Sequence, residues 1–325
     1  MKTVLKKSLN FNMTILILSL ISLLLGVISA ALGEIMIPFV VGGLSSLYLF
    51  DTKSKHSVSI IVSLIILGLN AAAVIMHYSV SLFAPTAIVL SLILSFAFKR
   101  GYCKSDASYL MTVIAAGFSL IAYMLFAMFE QGSFTVDAAI DYYDDLIDSL
   151  RAIFTEGMIE VYKASGIEVS EDAIIAVFNQ QINMIISYLL IGGFVITGVG
   201  MKLFGAIVTF CSEDKSEIKN WRFKANRIYA YFYVILIIVS LFATSADSIF
   251  AISVLNLYNI FMVIFAYIGF TVALDLLKKR LKPILAGIIL LATLLLFASF
   301  AAQILAAFGV LYTLRRDENH SSDTV

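Results

Sequence analysis

Charged side chains are scarce in this chain. Asp, Glu, Lys and Arg make up 14% of its 325 residues, against about 25% in an ordinary soluble domain. Apolar residues make up 61%, and the mean hydropathy is +0.99. A water-soluble chain of this length has no interior large enough to hide so much apolar surface, which argues against a cytosolic enzyme or a nucleic-acid-binding protein. Proline is nearly absent, with three in the chain, so long helices can run unbroken. The alternating segments of about ten residues that mark a transmembrane barrel are missing too. Apolar runs of roughly twenty residues stand in their place and read as helices. The two cysteines, Cys103 and Cys211, make neither a CxxC pair nor a disulfide framework, and His56, His77 and His320 are widely scattered.

Catalytic motifs are equally sparse. There is no phosphate-binding glycine loop followed by Lys-Ser/Thr, no HExxH and no GxSxG. Asp141, Asp144, Asp145 and Asp148 lack the spacing, the glycine and the terminal Glu of a calcium loop, and read as the wet face of a helix. The expectation is a protein that is not an enzyme and holds no metal or cofactor. Any energy coupling would come from an ion gradient or from a separate ATPase partner.

What is present is a succession of apolar segments. A first helix covers 11–32 after Lys2, Lys6 and Lys7. Ser29 and Ala31 offer cleavage-like spacing, but the run exceeds the roughly 7–15 residues of a signal-peptide core, so it reads as a retained helix. Helix two, 35–50, is short for a span and is expected to tilt little or to lie among neighbours. Helices three, four and five cover 57–78, 79–98 and 107–129. Composition then changes abruptly. Residues 130–181 hold eleven acids against Arg151 and Lys163. Val136, Ile140, Tyr143, Ile147, Leu150, Phe154 and Met158 recur there at helical spacing, which predicts an amphipathic helix ended by Gly166. Ser170 reads as the N-cap of a second helix, with Glu171 and Asp172 in its first turn. Helix six, 182–210, is glycine-rich. Helices seven and eight cover 228–246 and 247–277. The stretch 284–314 is one long tilted helix or a hairpin of two short ones, and the polar tail closes the chain at 317–325. This organisation divides the chain into an N-terminal membrane half (1–129), an acidic segment (130–181) and a C-terminal membrane half (182–316).

Lys and Arg in short loops mark the cytoplasmic side of a membrane. Seventeen of the 22 bases fall in the N-terminal tail and in the loops at 51–56, 99–104, 211–227 and 278–282. These alternate along the chain, which sets the N-terminus in the cytoplasm and the acidic segment outside. Arg315 and Arg316 then belong inside as well, which favours ten spans, whereas the length of the last stretch favours nine.

Polar groups at membrane depth are costly and invite a functional reading. Lys202 has a stem long enough to snorkel, Asp247 fits an N-cap, Asp275 can pair with Lys278 or Lys279, and His77 and Glu34 lie near the outer interface. Asn70, Asn256, Asn259 and Gln303 lie deeper. Their plain role is hydrogen bonding between helices; their functional role is to line a polar pocket that binds a small solute. In the external segment, Ile140, Ile147 and Phe154 offer an apolar surface to a partner.

Several pieces of the second half carry a family resemblance. They are Gly166-Ile167-Glu168-Val169-Ser170-Glu171-Asp172 running into a long membrane helix, a loop ending near Trp221-Arg222-Phe223, Leu255-Asn256-Leu257 leading to Lys278-Lys279-Arg280, and the closing Leu314-Arg315-Arg316. In this layout, over about 130–316, the chain resembles the YybS-like membrane proteins of bacteria, a family without an established activity. The first half is loosely similar in hydropathy to the substrate-binding subunits of energy-coupling-factor vitamin transporters. The YybS-like resemblance implies a bacterial cytoplasmic (inner) membrane protein. The resulting expectation is an all-α polytopic bundle of nine or ten transmembrane helices with an external helical segment. Its expected function is transport-related, in the lipid bilayer, with a small solute in the polar pocket. The alternative is a non-transporting scaffold or envelope-assembly factor that binds a partner through the external segment.

Overall fold

The computed structural model describes residues 11–51, 55–77, 81–211, 223–242, 248–296 and 298–316. Every regular element among them is a helix: α1 (Phe11–Leu32), α2 (Ile37–Phe50), α3 (Ser57–His77), α4 (Phe83–Arg100), α5 (Lys104–Glu130), α6 (Val136–Ala164), α7 (Glu171–Ile182), α8 (Ile185–Cys211), α9 (Arg227–Ser240), α10 (Ile249–Lys278), α11 (Pro283–Leu296) and α12 (Ala298–Arg316), with one 3-10 turn at Gly33–Met36. Six helices, or the greater part of each, are long and apolar enough to cross a membrane: Met13–Leu32, Ser57–Met76, Phe83–Arg100, Lys104–Glu130, Ile185–Cys211 and Ile249–Lys278. With so many apolar side chains on the outer surface, lipid is the solvent these helices suit. The protein is a helical membrane bundle.

Packing divides the chain into two compact units, Met1–Val161 with Leu189–Arg222, and Tyr162–Tyr188 with Phe223–Val325. Packing groups the chain differently from hydropathy, because contacts rather than polarity define the units.

In the first unit the short helix α2 is the centre. Twelve of its 14 residues are buried, so its length is set by neighbours and not by lipid. A buried cluster that includes Val40, Leu44, Leu47, Phe83, Leu90 and Phe204 surrounds it. Small residues let the helices close up. A Cβ on Gly193 of α8 would lie 2.6 Å from the Thr112 carbonyl oxygen of α5, and Thr112 and Thr197 hydroxyls meet at 3.2 Å across the same contact. The acidic segment, whose part from Tyr162 onward belongs to the second unit, folds as its pattern predicts. Helix α6 ends where Gly166 turns to φ +70°, and the Ile167 amide donates to the Tyr162 carbonyl at 3.0 Å, a Schellman closure. The Ser170 hydroxyl accepts from the Ala173 amide at 3.3 Å and starts α7.

In the second unit α10 is the centre. Helix α9 packs along its N-terminal half, where Tyr233 stacks on Tyr258 and Phe265 at 5.8 and 5.3 Å. Helix α12 runs antiparallel to α10, and theirs is the most extensive helix pairing among the described residues. At their crossing a Cβ on Gly269 would collide with the Leu305 carbonyl, and one on Gly309 with the Phe265 carbonyl. The last apolar stretch is thus two helices on either side of residue 297, which lies outside the described residues. Since α12 begins at the end where α10 finishes, α11 leaves and returns at that same end.

Register along α10 separates two basic groups that charge counting treats as one layer. Arg227 donates to the Leu314 carbonyl at 2.8 Å, which satisfies a C-terminal orphan of α12 and brings the Arg315-Arg316 end beside the start of α9. Leu314 and Lys278 lie on opposite sides of the Gly269–Gly309 crossing, about 20 Å apart along the axis at ~1.5 Å per residue. The separation arises because α10, at 30 residues, is longer than the ~20 residues a span needs. Lys2, Lys6, Lys7, Trp221, Arg222, Asp247 and His320 lie outside the described residues, as do the side chains of Glu34 and His77. The N-cap of α10 is Ser248, whose hydroxyl accepts from the Ala251 amide at 3.1 Å.

Candidate functional site

Helix α7 does not run straight into α8. Two residues, Asn183 and Met184, form an irregular turn between them. A break leaves amide and carbonyl groups without helical partners, and α10 supplies them. Buried Asn256 accepts from the Ser187 amide at 3.0 Å through its oxygen. Its nitrogen donates to the Asn183 carbonyl at 2.8 Å and to the Ile252 carbonyl of its own helix at 2.9 Å. One side chain therefore closes the end of α7 and the start of α8 together. The Ser187 hydroxyl donates back to the Met184 carbonyl at 2.7 Å, and Tyr188 donates to the Gln181 side-chain oxygen at 2.5 Å. This junction is hydrogen-bonded and uncharged.

Asn259 lies one turn further along α10, on the same face. It is half-buried, and its amide nitrogen donates to the Met184 sulfur at 3.2 Å, a weak acceptor. Among the described residues its carboxamide oxygen accepts no hydrogen bond. Half-buried Asn179 and Gln180 stand one turn earlier on α7. The sequence drew attention to Asn256 and Asn259 but passed over Asn179, Gln180, Gln181, Asn183 and Met184. The signal was there: four amides in five residues, 179–183, where an acidic segment meets a membrane helix. What it lacked was any local sign that α7 and α8 separate.

Asn70 belongs to the first unit and also serves a helix start. Its nitrogen donates to the Ser81 carbonyl at 3.0 Å, and its oxygen accepts from the Ala84 amide at 3.3 Å. Leu82, at the N-cap of α4, has no side chain for the purpose, so Asn70 caps α4 from the neighbouring helix. Both its polar atoms are engaged with backbone. Gln303 is exposed on α12. It neighbours Leu305, which abuts Gly269, about 15 Å along α10 from Asn259. Of the four amides read from the sequence as a pocket, the structure brings Asn256 and Asn259 together.

Asp51 is a further buried polar residue. Fully enclosed at the end of α2, it accepts from the Ser59 amide at 2.7 Å and the Ser59 hydroxyl at 3.0 Å, which caps α3. Its second oxygen accepts no hydrogen bond. Lys99 donates to the nearby Tyr48 carbonyl at 3.1 Å and feels the Asp51 charge. In the sequence Asp51 opens the polar loop at 51–56, with nothing beside it to mark a buried carboxylate. Lys202 and Asp275 are exposed, and among the described residues Asp275 makes no ion pair with Lys278 or Lys279.

On helix α6, Ile140 is half exposed, while Ile147 and Phe154 are half-buried. The Tyr143 hydroxyl donates to the Tyr123 carbonyl of α5 at 2.8 Å, and Tyr142 packs edge-on against Phe126. Burial, reinforced by Tyr142 and Tyr123, pushes the Tyr143 phenol above its ordinary value. Leu150, Ile153 and Val161 are also exposed, so part of the apolar face stays open. Among the described residues no three His, Cys, Asp or Glu side chains gather as a metal site. No family model, curated protein or solved structure matches the chain.

Proposed function

We propose that this is a transport-related protein of the bacterial cytoplasmic membrane, of the YybS-like kind, that binds a small polar solute at the α7–α8 break. In this reading it has nine spans, α11 not crossing, with a cytoplasmic N-terminus and an extracytoplasmic segment at 130–181. The observation that carries it is the broken helix held by Asn256 beside the uncommitted carboxamide oxygen of Asn259. Polar groups gathered where the acidic segment meets the membrane helix α8 can orient a small solute by hydrogen bonds. The amides are neutral, so the solute class they suit is uncharged and able to donate a hydrogen bond to Asn259. Asn256 is a positioning residue, because its own hydrogen bonds are filled by the backbone it holds. Coupling would come from an ion gradient or a separate ATPase. The test is mass spectrometry of small molecules released from the purified protein. A polar solute retained by the wild type and lost from Asn259→Leu supports the reading; equal retention by both overturns it.

A second reading is favoured by the open apolar positions of α6, Ile140, Leu150 and Ile153. There the external segment docks a protein partner and the membrane part is a scaffold. Cross-linking from position 140 in intact cells would give a discrete heavier product in that case, and none if α6 stands alone.

A further inference from the structure

Antiparallel helices that touch at two glycines cannot stay in contact along their whole length, because bulkier side chains hold them apart beyond the crossing. Beyond Gly269 and Gly309, towards the end where α11 joins them, α10 and α12 leave a groove of about 550 Å³. That volume lies within the roughly 300–1,000 Å³ of small-molecule pockets. Its walls are Ala273 and Leu277 of α10, Leu290 of α11, and Phe300, Ile304 and Phe308 of α12. Thr293 contributes the one hydroxyl, which donates to the Ile289 carbonyl of its own helix at 2.8 Å and leaves the groove without a polar demand. The groove is open on one side, since Phe300 is 68% exposed and Phe308 48%.

Charge stands at the mouth of this apolar groove. Leu276 and Leu277 line it, and Lys278, Lys279, Arg280 and Lys282 follow directly, all exposed, before Pro283 begins α11. Among the described residues none of these four cations forms an ion pair with an acid. An apolar slot that ends in four cations within five residues matches one ligand chemistry: a long hydrocarbon chain bearing an anionic head. We propose that the groove seats an acyl chain of an anionic glycerophospholipid of the surrounding bilayer, with its phosphate held by the Lys278–Lys282 cluster. Basic residues beside membrane helices attract anionic headgroups, and the slot adds what the charge alone lacks, a fixed place for the chain. The site is separate from the α7–α8 junction and does not depend on the solute reading.

The test is a lipid titration of the delipidated full-length protein in neutral detergent, read by native mass spectrometry. Phosphatidylglycerol and phosphatidylcholine with identical chains are the probes. The wild type should bind phosphatidylglycerol at least about tenfold more tightly. Replacing Lys278, Lys279, Arg280 and Lys282 together by Gln should erase that preference; these side chains are exposed, so the fold is not at stake. Thr293→Trp, which fills the groove from α11, should weaken both lipids about fivefold or more. Equal binding of the two lipids by the wild type overturns the proposal, as does phosphatidylglycerol binding unchanged by Thr293→Trp. A change in oligomeric mass on Thr293→Trp without a change in lipid binding also overturns it, and assigns the groove to a second copy of the chain.

Discussion

Two buried asparagines, one in each unit, hold the start of a helix that belongs to a different part of the chain. In the first unit Asn70 caps α4 and stands by itself. In the second, Asn256 closes both sides of the α7–α8 break and has Asn259 one turn away. The residue type and the hydrogen-bond logic are shared; the surroundings differ. An amide alone in an apolar wall satisfies the backbone and does nothing more. An amide that holds a break open, next to a second amide with an unengaged oxygen, leaves a hydrogen-bond acceptor beyond what the backbone uses, and the proposed solute site rests on that difference. Asp51, capping α3, belongs with Asn70 in this comparison. Other helix starts are capped by their own N-cap residue instead, Ser170, Asn226 and Ser248.

The largest expected effect tests how the units are closed. Gly309→Leu forces a side chain into the Phe265 carbonyl and should cost the second unit about 3–5 kcal/mol, read as loss of cooperative unfolding in mixed micelles. Gly198→Leu on α8 meets open space and should change stability by less than about 0.5 kcal/mol. If the two variants behaved alike, close packing at the glycine crossing would not be what holds the second unit.

Next in size is Asn256→Leu. It strands the Ser187 amide and the Asn183 carbonyl, and should cost about 2 kcal/mol in the same assay. Asn70→Leu strands the Ser81 carbonyl and the Ala84 amide, the latter held by a longer bond of 3.3 Å, and should cost about 1 kcal/mol. A reversed order would mean that the α7–α8 break is held by something other than Asn256. Smaller again is Asn259→Leu, which loses one weak contact to sulfur and should shift stability by less than about 0.5 kcal/mol while abolishing solute retention. That dissociation of stability from binding separates the two asparagines of α10 most sharply.

Hydropathy and periodicity reached the helices, because a bilayer leaves the backbone few alternatives. The amphipathic α6, its stop at Gly166 and the Ser170 cap were all legible, since each depends on neighbours in sequence. The turn at Asn183–Met184 was not. It is stabilised by Asn256, 73 residues from Asn183, and nothing local marks it. The burial of Asp51 was hidden for the same reason: its loop is polar, but α3 folds back over the carboxylate. The Gly269–Gly309 crossing likewise escaped notice, because each glycine sits singly in an apolar run and acquires meaning only when α10 meets α12. Asn70, Asn256 and Asn259 were found as costly polar groups at membrane depth; which of them are engaged by backbone depends on the fold.

Native mass spectrometry of the purified wild type and Asn259→Leu, run side by side with Asn70→Leu, tests solute binding at Asn259 most directly. The prediction is a small-molecule adduct on the wild type and on Asn70→Leu that disappears from Asn259→Leu while that variant remains folded. An adduct of the same mass and occupancy on Asn259→Leu would contradict it.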